Sequence, residues 1–357
     1  MKLVVLGLSI SSSWGNGHAT VFRALLKSFA QRGHGVVFLE RDVPWYAGDA
    51  RDNPDPDGVD LRLYASLEEL RTDHAALVRE ADAVLIGSYV PDGPAVIDWA
   101  MQTAEAPVSF YDIDTPVTLA KLARGDKESL RVDQVPRLAA YFSFTGGRTL
   151  RKLEEELGSP RALPLYCAVD DGVYTPDAAV ARDLDLGYMG TYSDDRQPTV
   201  ERLLLDPARR LPGRRFALVG PMYPQRTSWT PNVERVEHLP PAGHPRFYRR
   251  QRFTLNVTRA DMIAAGWAPS VRLFEAAACG TPVISDRWEG LGDVFEVGRE
   301  ILVADTADDA VRILEETPEA ERAAIGAAAR ARVLQEHTAA HRAAELEAGL
   351  LAAGASR

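Results

Sequence analysis

Short runs rich in Val, Leu and Ile alternate along this 357-residue chain with segments whose apolar residues recur every three or four positions. Uninterrupted apolar runs read as strands buried on both faces, and repeated strand–helix–strand units build a parallel sheet with helices on each side. Residues 2–8 (KLVVLGL) predict the first strand. Ala19, Phe22, Leu25, Leu26 and Phe29 then mark one helix face, Gly33 and Gly35 end that helix, and VVFLE at 36–40 predicts the second strand. The alternation continues through strands at 61–65, 83–87, 107–113 and 141–145, with helices at about 67–80, 94–104 and 148–157. A second series carries strands at 186–190, 215–220, 233–238, 253–258, 282–286 and 300–304.

Between the two series lies AVDDGVYTPDAAVARDLD (168–185), where helix and strand periods both lapse. The expected architecture is α/β throughout: an N-terminal domain over 1–170, a linker at 171–184 and a C-terminal domain over 185–335. Two Rossmann-like, doubly wound domains would then face each other across a cleft, where ligands of such pairs usually sit. After Pro318 the chain turns rich in Ala, Glu and Arg. Residues 336–357 are expected as a terminal helix, either a solvated cap or a crossover onto the first domain.

Lys and Arg number 41 against 51 Asp and Glu, a formal charge of −10, which disfavours binding to a phosphate backbone. No nucleic-acid partner is expected. The two cysteines, Cys167 and Cys279, stand in apolar stretches, and no Cys/His spacing fits a zinc cluster. The amino-terminal apolar run is about eight residues, short of the roughly 20 that span a bilayer and unlike a cleaved signal. A cytoplasmic protein with no integral membrane contact is expected.

The most informative segment is WAPSVRLFEAAACGTPVISD (267–286). Pro269 disfavours helix for the residue before it, Ser270 is a good N-cap, and strong helix formers follow up to Gly280. A helix starting at about 271 exposes unpaired N–H groups and a partial positive charge, which suit a diphosphate. Glu275, just over one turn in, is within reach of the hydroxyls of a ribose carried by that diphosphate. An ordinary amphipathic helix is the alternative.

The string FEAAACGTPVISD resembles the nucleotide-sugar-binding helix and strand of GT-B glycosyltransferases, with their E-A-x-A-x-G-x-P-V-I pattern. A narrower resemblance, to the CgeB-like (spore-maturation) glycosyltransferases, extends over GNGHATVFRALL, GHGVVFLERD, YDIDTPVT, SFTGGRTLRKLE, PLYCAVD, LGYMGTYSDDRQPTVERLL and LNVTRADMIAAGWAPSVRLFEAAACGTPVISD. The resemblance implies a GT-B fold, a nucleotide-sugar donor, Glu275 on the ribose, and the backbone N–H groups of Ser270 and Val271 on the diphosphate. Many retaining members carry a second glutamate eight residues before the ribose-binding one, where this chain has Trp267. Sugar contacts and the retaining or inverting course stay open.

A leaving nucleoside diphosphate develops negative charge, and arginine meets phosphate bidentately. Arg259, after the strand FTLNVT, Arg272, in the first turn of the donor helix, and Arg196, in the loop after the second domain's first strand, are the candidates. A surface salt bridge is the alternative for each. With these cations no metal and no cofactor besides the donor substrate is required. The acceptor hydroxyl needs a base. His18, preceded by Gly17 in GNGHAT, suits proton transfer, with helix packing as its alternative. Asp112 and Asp114, between a strand and Pro116, read as acceptor binding or support for His18, against turn capping. Trp45, beside Tyr46, is a candidate to stack on the acceptor. Asp42 sits where dinucleotide folds place an acidic ribose reader, but the first turn, GLSISSSWGNG, lacks G-x-G-x-x-G, which argues against an oxidoreductase. The expected activity is metal-independent transfer of a sugar to a hydroxyl of a small molecule, glycan or other acceptor. The alternatives are a sugar-nucleotide epimerase or hydrolase of the same fold and a non-catalytic sugar-nucleotide-binding protein of cell-envelope assembly.

Overall fold

The structure, a computed structural model, describes residues 1–225 and 227–355. Two units divide it: Met1–Ala168 with Ala339–Arg357, and Val169–Thr338.

In the first unit Leu3, Val4, Val5 and Leu6 are fully buried, as a strand covered on both faces requires. Seven parallel strands form its sheet: β1 (Lys2–Gly7), β2 (Gly35–Arg41), β3 (Asp60–Tyr64), β4 (Ala83–Gly87), β5 (Val108–Asp112), β6 (Tyr141–Ser143) and β7 (Ala162–Pro164). Their order is β3-β2-β1-β4-β5-β6-β7, so the winding reverses between β1 and β4. β7, three residues ending in proline at the sheet edge, is too short to carry a periodic signal and was not expected. The helix expected over 67–80 is two short ones, Leu67–Asp73 and Ala75–Arg79, interrupted at His74.

The second unit repeats the plan with six parallel strands: β8 (Leu184–Met189), β9 (Phe216–Val219), β10 (Val233–Val236), β11 (Gln251–Asn256), β12 (Val283–Ser285) and β13 (Leu302–Val303), in the order β10-β9-β8-β11-β12-β13. The winding reverses between β8 and β11. In open α/β sheets ligands gather outside the carboxyl ends of the strands at such reversals, and both groups of candidate residues lie there within their own units.

Residues 171–184 belong to the second unit instead of forming a free linker. Arg249 donates from Nε to the Thr175 carbonyl (2.5 Å) and from Nη2 to Thr175 Oγ1 (2.9 Å), and Arg182 donates to the Gln251 carbonyl (2.5 Å). A polar, turn-rich composition indicates only that ladder bonds are missing; here arginine side chains satisfy the backbone groups left over.

The chain after Pro318 forms two helices. Glu319–Glu336 stays in the second unit, while Ala339–Gly354 belongs to the first and packs on the helix His18–Gln31. Gly349 lets the same helix lie close over the sheet, since a Cβ there would lie 2.4 Å from the Phe142 ring on β6. His34 Nε2 meets Glu347 Oε1 at 3.0 Å and Arg32 Nε meets Oε2 at 2.6 Å. Residues 356 and 357, the end of the expected helix, lie outside the described residues. No helix among the described residues is long and apolar enough to cross a membrane.

Candidate functional site

The helix Val271–Ala278 begins where Pro269 and Ser270 predict. Ser270 has extended backbone (φ −75°, ψ 152°) but does not cap the helix with its side chain; Oγ donates to Asn256 Oδ1 at 2.8 Å. The first-turn N–H groups therefore keep no side-chain acceptor, which leaves the positive end of the helix available to an anion. Arg272 lies against this end. Its Nε donates to the Met189 carbonyl (2.7 Å) and its Nη1 to Asn256 Oδ1 (2.8 Å), and its guanidinium sits 5.0 Å from the centre of the Tyr188 ring. These bonds tie the ends of β8 and β11 to the helix. Gly190 is needed beside them: a Cβ there would come 2.5 Å from the Tyr188 hydroxyl and 3.2 Å from Arg272 Nη2.

Arg196 is nine-tenths buried and donates to the Thr191 carbonyl (2.5 Å) and Ser193 Oγ (2.9 Å). Burial, joined by the charges of Arg272 and Arg259, lowers its pKa from the ordinary guanidinium value. The three arginines thus share one electrostatic neighbourhood. Arg259 is exposed at the start of the helix Ala260–Ala265, and its guanidinium makes no hydrogen bond or ion pair among the described residues.

Glu275 is only 4% exposed. The Tyr248 hydroxyl donates to its Oε2 at 2.8 Å, and the Tyr174 ring centre lies 6.3 Å from that of Tyr248. Burial, followed by the Glu275 charge, pushes both phenols well above their usual range, so both remain donors. Trp267 has left-handed backbone (φ 44°), its Nε1 donates to Asp293 Oδ2 at 2.6 Å, and its ring lies where a Cβ on Gly290 would come within 2.5 Å.

In the first unit His18 opens its helix directly after the β1 loop. Its backbone N–H donates to Asn16 Oδ1 (3.0 Å), and its Nε2 lies 3.6 Å from Asp114 Oδ2. The Tyr89 hydroxyl donates to that same Asp114 oxygen (3.2 Å), and the Tyr89 and His18 rings are 5.3 Å apart between centres. Tyr89 holds a φ of 66°, a left-handed conformation costly for an aromatic residue and found mostly where surrounding structure enforces it.

Asp112 needs correcting. It is fully buried, accepting from Tyr141 (2.5 Å), Thr118 Oγ1 (3.0 Å) and the Asp114 N–H (3.1 Å), and burial, against those bonds, pushes its pKa up to about 6. It joins β6 to the helix Thr115–Ala123 and has no surface to offer an acceptor; Asp114, two residues on, is the carboxylate beside His18. Gly17 is exposed and a Cβ there would meet nothing, so no close approach demands glycine. Trp45 is 62% exposed, its ring 6.2 Å from that of Tyr46. Asp42 is paired with Arg51 at 2.6 Å.

Sequence reasoning passed over Glu40. Fully buried at the end of β2, it accepts from Ser9 Oγ (2.8 Å), the Ile10 and Ser11 N–H groups (2.7 and 3.0 Å) and Ser11 Oγ (2.6 Å), fixing the loop that leads to His18. A carboxylate closing an apolar strand run was the available signal. Asp52 braces the same loop through Ser13 and Arg23; these partners outweigh burial and hold its pKa at about 2. Tyr89, Tyr174 and Tyr248 carried no motif. Among the described residues no group of three or more His, Cys, Asp or Glu side chains is placed to hold a metal ion.

The glycosyl transferase-like family model matches residues 196–348, which include the helix Val271–Ala278 and its arginines. No curated protein is similar enough in sequence to count as a match. The fold is shared with solved structures at low identity. Anabaena HepE, in complex with UDP and glucose, is 14% identical over 98% of this chain and 99% of its own, with a TM-score of 0.71. Sucrose-phosphate synthase from Thermosynechococcus elongatus is 14% identical over 100% of both chains (TM-score 0.68), and a glycosyltransferase from Rickettsia africae is 12% identical over 98% of both (TM-score 0.66). Residues 196–348 are thus similar to a glycosyl transferase-like family, and the two parallel sheets share the GT-B fold of these solved structures.

Proposed function

We propose that the protein moves a sugar from a nucleoside-diphosphate donor to an acceptor hydroxyl, without a metal ion or a further cofactor, in the cytoplasm, and that it belongs with the CgeB-like glycosyltransferases. The observation that carries this reading is the uncapped start of the helix Val271–Ala278, with Arg272, Arg196 and Arg259 around it and Glu275 one turn in. Backbone N–H groups of Ser270 and Val271 receive the diphosphate, and the arginines offset the charge that grows on it as the glycosidic bond breaks. Glu275 keeps lone pairs for the ribose hydroxyls beside the bonds it takes from tyrosine. HepE holds UDP, which makes UDP-sugars the first donors to try.

On the first unit His18 accepts the acceptor's proton. Asp114 stabilises the imidazolium so formed, and Tyr89 holds Asp114 in place. Gly17, next to His18 in the chain, and the exposed Trp45 are assigned to acceptor binding.

A thermal-shift screen of nucleoside diphosphates and their sugars tests the donor half. A ligand at 100 times its Kd adds about 2.7 kcal/mol of stability, and a flat response to all of them sinks the reading. Release of nucleoside diphosphate at the same rate with and without acceptor would instead indicate an epimerase or hydrolase.

A further inference from the structure

Glu275 is a buried carboxylate, and an ionised group in such a place needs hydrogen-bond donors aimed at it. The Tyr248 hydroxyl that donates to it comes from outside its own helix. Tyr248, fully buried, stands on the helix His244–Arg249, and Tyr174 stands in the irregular segment after residue 169. Tyr248 bonds Glu275 directly, while Arg249, the next residue, holds Thr175. Thr281 Oγ1 donates to the Tyr248 carbonyl (2.8 Å), which ties this turn to the chain leaving the Glu275 helix. Cys279, one turn beyond Glu275, has its thiol pushed by burial up to about 12, so it adds no competing charge.

We propose that Tyr248 is a positioning residue that holds the Glu275 carboxylate in the one orientation able to accept the ribose hydroxyls of the donor. The inference rests on the donor reading above. A carboxylate can rotate about its last side-chain bond, and a buried phenol donor fixed on another helix restricts that freedom before ligand binds.

The test compares ribose discrimination in the wild type and Tyr248→Phe. Calorimetry first finds the tightest of ADP, GDP, UDP and CDP, then measures its 2′- and 3′-deoxy forms. The wild type should favour the ribonucleotide over at least one deoxy form by about tenfold or more, the scale of a hydrogen bond to a charged group. Tyr248→Phe should cut that ratio by about threefold or more. A purely structural role would lower melting temperature, or affinity for all forms alike, and leave the ratio intact; that result overturns the proposal while the donor reading stands. Should Tyr248→Phe fold poorly, the same ratio is read at a temperature low enough for the variant to be folded. No binding of any of the four diphosphates, or a wild type blind to the ribose hydroxyls, overturns the donor reading and this inference with it.

Discussion

Asp112→Asn separates a buried brace from a working carboxylate. Asp112 carries a pKa of about 6 in the folded chain against an ordinary 3.8, so between these values the folded state binds a proton that the unfolded state has released. Stability then falls as pH rises through that window. About two pKa units at 1.36 kcal/mol each give a loss of about 3 kcal/mol, complete above about pH 6. Asparagine has no charge to desolvate. Its Oδ1 can keep the bonds from Thr118 and the Asp114 N–H, and its amide can donate to Tyr141 once that hydroxyl turns to accept. Denaturant unfolding of both proteins from pH 4 to pH 7.5 should show the variant gaining on the wild type by about 3 kcal/mol across the series. Asp52, held at about 2, costs stability only as pH falls below about 4 and does so in both proteins, so it cancels. Turnover per folded molecule should change little. A stability difference constant with pH, or a well-folded variant that has lost its turnover, would refute the reasoning.

Four further outcomes follow from the same geometry. His18→Ala should lower turnover by about 10²–10⁴-fold and leave nucleotide affinity unchanged, since the donor helix lies in the other unit; an early-melting but fully active variant would assign His18 to packing instead. Glu275→Ala should weaken nucleoside-diphosphate binding by about 1.5–3 kcal/mol in calorimetry, and unchanged affinity in a folded variant would count against its ribose role. Exhaustive chelation should leave turnover intact; loss on chelation that magnesium or manganese restores would contradict the metal-free reading. Glu40→Ala deletes four buried hydrogen bonds to the 9–11 loop and should destabilise by about 3 kcal/mol or more in denaturant unfolding, and a change below about 1 kcal/mol would show the loop holding itself.

The sequence by itself determined the features that depend on near neighbours in the chain. Apolar runs such as LVVL in β1 and ALV in β9 form strands because alternating side chains must be buried on both faces of a covered sheet, and all twelve expected strands are found. Pro269 and Ser270 set the start of the 271 helix through backbone restrictions that act over one or two residues.

What each polar group touches was decided only by tertiary structure. Asp112 and Asp114 look alike in DIDTP, yet one is sealed under Tyr141 and the other lies beside His18, because β6 and the first helix approach the end of β5 from different sides. Ser270 reads as a cap, but Asn256, 14 positions earlier on β11, captures its hydroxyl. Residues 171–184 read as a linker because no local period marks them, while Arg182 and Arg249 bind that stretch into the second unit. Tyr248 carries no local signature, since its partner Glu275 lies 27 positions away. Periodicity reports which face of an element is apolar; a polar side chain's partner depends on which elements the sheet order brings together, and that order is a property of the whole folded chain.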